Sequence, residues 1–173
     1  EAEQQRMQHA QQQRDVLIRE VHHRIKNNLQ GVTGLLRQHI AEHPDLRAVI
    51  ERVIAQIRSM AVVYGLQSSE RIDELRLCDM LTAICAMAGD VMHPRHVPVV
   101  AIEAQQPVCV DKLEAVPIAL VLNELICNAI KHDATAGTSA GVSVALSSAG
   151  NTARVLISNR GVHLPAAFDF AAG

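Results

Sequence analysis

Apolar residues recur along the first part of the chain at steps of three and four. Ile18, Val21, Ile25, Leu29, Val32 and Leu36 form one stripe, the spacing of a single helical face. Upstream, Glu1 to Gln13 is polar and Gln-rich, yet Met7, Ala10, Leu17 and Val21, with Arg14 between, keep a similar spacing and predict a coiled-coil lead-in. Nothing interrupts the pattern before His43-Pro44-Asp45, where the residue preceding proline is pushed out of helical geometry. The first helix is therefore expected to run about 40 residues. A second stripe follows the turn: Leu46, Val49, Ile50, Val53, Ile54, Ile57, Met60, Ala61 and Tyr64. Two long amphipathic helices joined by a tight turn make an antiparallel hairpin. One hairpin alone leaves half its apolar surface wet, so a homodimer closing into a four-helix bundle is expected.

Around Gln67 to Asp73 (QSSERID) the period is lost. This divides the chain into residues 1–69, lead-in plus hairpin, and residues 70–173. In the second part Cys78 to Met92 reads as a helix, Val97 to Ile102 and Val108 to Val110 as short strands, and Leu113 to His132 as a strong helix. Pro117 is tolerable in that last helix only near its first turn. Asp133 to Gly141 is a small-residue loop, and Val142 to Leu146 and Ala153 to Ser158 alternate like paired strands around a turn at Ser147 to Thr152. Helices and strands in this order predict an α+β fold: the hairpin followed by an α/β sandwich with helices on one face of a mixed sheet.

Composition narrows the function. The chain of 173 residues is 49% hydrophobic and 20% charged, as a folded domain is. Aromatics make up 2% with no Trp, which argues against base-stacking nucleic-acid binders, and a net charge of -2 without a basic run leaves no footprint for DNA or RNA. Cys78, Cys85, Cys109 and Cys127 are widely spaced with no CxxC, so neither a zinc knuckle nor a disulfide framework is suggested and a reducing cytoplasm fits best. No run of about 18 apolar residues and no signal pattern is visible, so no direct membrane contact is expected. The start at EAEQQ rather than Met suggests a piece of something longer, with a sensor or a membrane span upstream.

The stretch EVHHRIKNNLQ, Glu20 to Gln30, carries candidate chemistry. At about 100° per residue, with Ile18 at zero, the apolar stripe centres near about -20°, His22 falls at about 40° and His23 at about 140°. His23 thus points away from the core, and His22 sits at the stripe's edge as a packing histidine. Glu20 and Asn27 flank His23 at i-3 and i+4. A carboxylate there can fix the ring tautomer that leaves the other nitrogen free as nucleophile, and Asn27 can orient water or a phosphoryl oxygen. Arg24 and Lys26 can meet incoming negative charge. The plainer alternative is a solvated face that happens to carry these residues.

The segment REVHHRIKNNLQ resembles the phosphoacceptor box of sensor histidine kinases of the HWE/HisKA_2-type class, E-x-x-H-R-x-K-N. The resemblance implies that His23 is the phosphoacceptor, with Glu20 as base and Asn27 in the water-orienting role. A second segment, LVLNELICNAIKHD (Leu120 to Asp133), resembles the N box of the GHKL (Bergerat) ATP-binding fold. It implies ATP and Mg²⁺ as cofactors, Asn128 as metal ligand, Lys131 and His132 near the phosphates, and Glu124 assisting transfer or shaping the site. The family's D-x-G-x-G box corresponds here to Asn159-Arg160-Gly161-Val162-His163. Asn159 stands where the adenine-binding Asp is expected, Gly161 keeps the first glycine, and His163 replaces the second. The chain ends at Gly173 before a second glycine-rich box, so the ATP domain is expected to lack its C-terminal part.

The reading that follows from this likeness is a two-component sensor histidine kinase core, cytoplasmic, autophosphorylating on His23 and passing phosphate to an Asp of a response-regulator receiver. The rivals are an ATP-independent phosphotransfer protein with a degenerate ATP domain, and a purely structural coiled-coil module. His93-Pro94-Arg95-His96 has an HxxH look, but Pro94 breaks the helix that would aim both rings at one metal. His39 and His43 read as solvated. Gly31 and Gly34, inside the first helix, suggest close packing or a bend.

Overall fold

The computed structural model describes residues 2–69, 74–92, 98–104, 106–133, 141–150 and 152–161. His93, His96, His163, most of the small-residue loop after Asp133 and the C-terminal end lie outside them. Helix α1 (Ala2–Glu42) is a single 41-residue helix, stopped where expected by His43 and the single 3₁₀ turn Pro44–Leu46. Helix α2 (Arg47–Ser69) returns antiparallel along it. Gly31 and Gly34 do not mark close packing within the chain, because an added Cβ at either would meet nothing within 4 Å. Gly65 does sit under a neighbour, the Lys26 stem, at 3.5 Å.

Beyond the hairpin come β1 (Glu74–Arg76), α3 (Leu77–Met92), β2 (Val99–Ile102), β3 (Cys109–Asp111), α4 (Lys112–Lys131), β4 (Ser143–Ala149) and β5 (Thr152–Ser158). The α+β class holds. The strands form two sheets rather than one: an antiparallel pair β1-β3, and β2-β4-β5 with β2 parallel to β4 and β5 antiparallel to it. Strand β1 was not anticipated because only Leu75 faces inward, against Val110. The β4-β5 hairpin is tighter than its sequence suggests. Ala149 pairs with Thr152, and Gly150 takes φ 56° to make the turn, a left-handed conformation that glycine adopts without steric cost.

Asp111 starts α4 as its N-cap, its Oδ1 accepting from the Leu113 amide at 2.8 Å. Glu114 in the first turn and Lys131 in the last complement the helix dipole. Pro117 falls in the second turn, one turn past Leu113, which is 88% exposed; water can serve the carbonyl whose partner proline removes. By length and composition α4 could cross a membrane. Its face bearing Ala115, Ala119, Leu122 and Ile126 is nevertheless buried in the chain, and the apolar run is broken by Asn123, Glu124 and Asn128.

The core is built from Leu75, Met80, Leu81, Ile84, Ile126 and Leu146. Val63 of α2 is fully buried in the same cluster. The second half of α2 therefore serves both the hairpin and the α/β layer, and it lies against α3 and α4.

Candidate active site

His22 and His23 have opposite surroundings, as the 100° step requires. The His22 ring is half-buried, and its centroid lies 5.7 Å from that of Tyr64 on α2. Its Nδ1 is buried without a partner among the described residues. His23 is exposed, and Asn27, one turn on, brings its amide nitrogen to 3.4 Å from His23 Nδ1. With the amide so oriented, Nδ1 accepts and the ring proton sits on Nε2. With the amide turned over, Oδ1 accepts from Nδ1–H and Nε2 keeps its lone pair. Only the second arrangement presents Nε2 as a nucleophile.

Glu20 is placed differently from its expected contact with His23. Its Oε1 accepts from Arg24 Nε at 2.7 Å, because Arg24 is at i+4, the better spacing for an acid preceding a base, while His23 is at i+3. The hydrogen bond from Arg24 and then its charge hold the Glu20 carboxyl below its ordinary value, and His23 adds in the same direction. A depressed carboxyl keeps its pair above the ordinary pKa and loses it only as pH falls through the lowered one. The Glu20–Arg24 pair is therefore intact throughout the neutral range.

A second group of candidates gathers at the C-terminal end of α4. Asn128, Lys131 and His132 are exposed there, and the Asn128 carbonyl accepts from the His132 amide at 3.0 Å. Asn159, just past β5, donates from Nδ2 to the Ala129 carbonyl at 3.2 Å. Gly161 packs so closely that a Cβ would come within 2.6 Å of the His132 carbonyl oxygen and 2.8 Å of Asn159 Nδ2. Asn159 is thus held with its amide nitrogen turned to the protein, which leaves Oδ1 as the free acceptor. A donor amine such as that of adenine is what such an oxygen can take. Among the described residues no group of three or more His, Cys, Asp or Glu side chains converges. A hard divalent ion at Asn128 would accordingly take most of its oxygen ligands from phosphate and water, which suits Mg²⁺.

Glu124 stands one turn before Asn128, but its Oε1 accepts from Gln56 Nε2 of α2 at 3.0 Å. Gln67 Nε2 donates to the Lys112 carbonyl at 3.3 Å. Matching 56 with 124 and 67 with 112 shows α2 and α4 lying antiparallel. Asn128 is then level with Arg52, whereas His23 neighbours His22, which touches Tyr64. At 1.5 Å per residue the two levels are about 18 Å apart along α2. The chain brings Asn128, Lys131, His132, Asn159 and Gly161 together and Asn27 to His23, but it keeps the two groups apart.

Two residues escaped the sequence reading. Asn123 is 1% exposed and accepts from the Cys127 thiol at 3.7 Å; its place on the inner face of α4, one turn after Ala119, was a usable signal. Gln56 offered none, since its partner is 68 residues away. Burial pushes the Cys127 thiol up, and the Glu124 charge adds to this.

Residues 20–92 match the histidine kinase family HisKA_2. The sensor histidine kinase PdtaS of Mycolicibacterium smegmatis is 28% identical over 159 residues, covering 90% of this chain and 32% of the relative. PdtaS of Mycobacterium tuberculosis is 28% identical over 160 residues, with the same coverage. The chain thus spans about a third of the length of these relatives. Among solved structures, the histidine kinase domain of the Erythrobacter litoralis EL346 blue-light activated histidine kinase superposes with a TM-score of 0.55 at 20% identity, over 92% of this chain and 75% of that one. The EL346 kinase itself gives 0.54 at 19%, over 86% and 48%. The HisKA_2-type sensor kinase resemblance read from the His23 box is borne out, and the superpositions show a shared fold.

Proposed function

We propose that the chain is a kinase core that phosphorylates itself on His23 from ATP and passes the phosphoryl group to an Asp of a response-regulator receiver. The observation that carries this is the exposed His23 with Asn27 at its Nδ1, in the same chain as the Asn128, Asn159 and Gly161 cluster. In the reaction His23 Nε2 attacks the γ-phosphorus in line, the new N–P bond forming as the bond from that phosphorus to the β,γ-bridging oxygen breaks and ADP leaves, with the Nδ1 proton held by Asn27 Oδ1 or passed to Glu20 once Arg24 lets it go. Asn159 Oδ1 accepts from the adenine amine, Gly161 lets the chain beyond β5 close on the α4 end and so hold Asn159 there, and Lys131 and His132 meet the phosphates. Mg²⁺, held through Asn128, would neutralise phosphate charge. Positioning and electrostatics supply most of such a transfer.

Transfer to a receiver is supported by a groove of about 630 Å³ beside α1 and α2, where Lys26, Arg37 and Arg58 meet Ala61, Ala83 and Met87. Lys26 is one turn from His23, so cations await an acidic acceptor. Dimerisation is supported by the wet stripe of Val21, Val32 and Leu35. Ala2 to Leu17 is exposed throughout and could join an upstream sensor domain; the setting proposed is cytoplasmic.

The test is labelling with γ-labelled ATP and Mg²⁺ of the wild type, His23→Gln and His22→Gln. Acid-labile, alkali-stable label missing only from His23→Gln supports the kinase. The uncharged Asn159 and the separation of about 18 Å favour one rival, a relay that takes phosphate from a receiver. No label from ATP, with label accepted from a phosphorylated receiver, would replace the kinase reading by that one.

A further inference from the structure

The seam between α2 and α4 has an apolar middle and a polar tie at each end. Ser59 and Val63 of α2 are completely buried there, and the Ser59 hydroxyl donates to its own helix, to the Gln56 carbonyl at 2.7 Å. It adds no tie across the seam. At one end Gln67 holds the Lys112 backbone at 3.3 Å. At the other, Gln56 Nε2 donates to Glu124 Oε1 at 3.0 Å, with both residues half-buried. The second tie ends on a side chain of the N-box helix, and its acceptor is a carboxylate, which strengthens the bond.

We infer that Gln56 is a positioning residue: its amide holds Glu124, and α4 with it, in a parked register from which the nucleotide end cannot reach His23, and it must release before phosphoryl transfer. The inference rests on the kinase reading. In-line attack needs the reacting atoms about 3 to 3.5 Å apart, whereas Asn128 and His23 stand at levels about 18 Å apart along α2. Within one chain α4 must therefore leave its place on α2, and opening the Gln56 tie eases that departure; delivery to a partner chain's histidine would need no such release and would leave both variants described below at the wild-type rate. Glu124, one turn from Asn128 on the same helix face, is turned toward α2 for as long as Gln56 holds its Oε1. The hairpin thereby acquires a direct hold on the nucleotide domain, at a residue outside both boxes. Movement of α2 by a fraction of a turn would misalign Gln56 and free the carboxylate.

The experiment uses the full-length protein and initial rates of His23 labelling across ATP concentrations, for the wild type, Gln56→Ala and Gln56→Lys. Removing the donor should raise kcat roughly 10-fold, the low end of what one hydrogen bond to a charged group is worth. Supplying an ammonium should tighten the tie and lower kcat about 5-fold. KM for ATP should stay within about twofold in both variants, because Asn159, Gly161 and Asn128 are untouched. Opposite responses at one position cannot come from damage to folding, which would slow both. A wild type that labels His23 while both variants run at its rate, or both run slower, overturns the inference and leaves the kinase reading standing. A wild type that takes no label from ATP removes the reading, and the inference with it.

Discussion

The rings of His22 and Tyr64 meet across the hairpin with centroids 5.7 Å apart and planes tilted by 51°, while His23, the next residue, faces solvent. Adjacent histidines therefore have separable jobs. Loss of the His22 ring removes a cross-helix contact worth about 1 kcal/mol beyond its buried area. His22→Ala should lower the thermal midpoint by several degrees and keep phosphoryl label at permissive temperature. His23→Gln should leave the melting curve within about 0.5 kcal/mol of wild type and abolish label. Equal loss of label in two well-folded variants would show that the helical-wheel assignment chose too narrowly.

Val21, Val32 and Leu35 are 52%, 44% and 63% exposed on α1, and Val49 on α2 is 63% exposed. Burying one such side chain fully stabilises by about 1.5 to 3 kcal/mol, so a second hairpin laid over them would be held mainly by this face. Val32→Asp with Leu35→Asp should convert a dimer into a monomer in light scattering at micromolar concentration, with little change in helix content. A pair of substitutions that leaves a dimer intact would move the interface elsewhere, for example to Met7 and Leu17 of the lead-in.

How much of this was legible in the sequence differs from feature to feature. The opposite fates of His22 and His23 follow from 100° per residue and needed no coordinates. The length of α1 could be read for the same reason, since one uninterrupted stripe ends at one proline. Strand β1 could not, because three residues with a single inward side chain carry no period. The pairing of Glu20 with Arg24 instead of His23 turned on i+4 competing with i+3, a choice that a list of helix neighbours leaves open. Gln56 and Glu124 meet only because two distant helices pack, and tertiary contacts of that kind leave no trace in local spacing. Asn159 is the intermediate case. Its substitution for an acid was visible, but the direction of its amide depended on the Ala129 carbonyl.

Cys85 provides a test of the core that is independent of catalysis. It is 1% exposed, and burial pushes its thiol from 9.0 up to about 11. Between these values the folded chain keeps a proton that the unfolded chain has lost, so stability falls as pH rises through this window. The loss attributable to Cys85 should be on the order of 2 kcal/mol by pH 11. Denaturant melts of wild type and Cys85→Ala should differ most near pH 8 and converge above pH 10. The thiol should also resist alkylation at pH 8, when exposed Cys109 reacts. Rapid modification of Cys85 in the native protein would mean that α3 does not pack as described.

Asn159→Asp supplies the acid of the box that this segment resembles, a change that by charge alone should improve adenine recognition. The contacts predict the reverse. Asn159 Nδ2 donates to the Ala129 carbonyl at 3.2 Å, and an ionised Asp has nothing to donate. Two acceptors would face each other at the end of α4, where the helix dipole is already negative. The variant should lose about 1 to 2 kcal/mol of stability, and its nucleotide affinity should fall or stay level, since the carboxylate is repelled from the position that aims Oδ1 outward. Isothermal titration with an ATP analogue, beside a melting curve, reads both quantities. Tighter binding with undiminished stability would show that the amide's hold on Ala129 is dispensable and that Asn159 is merely a weakened Asp.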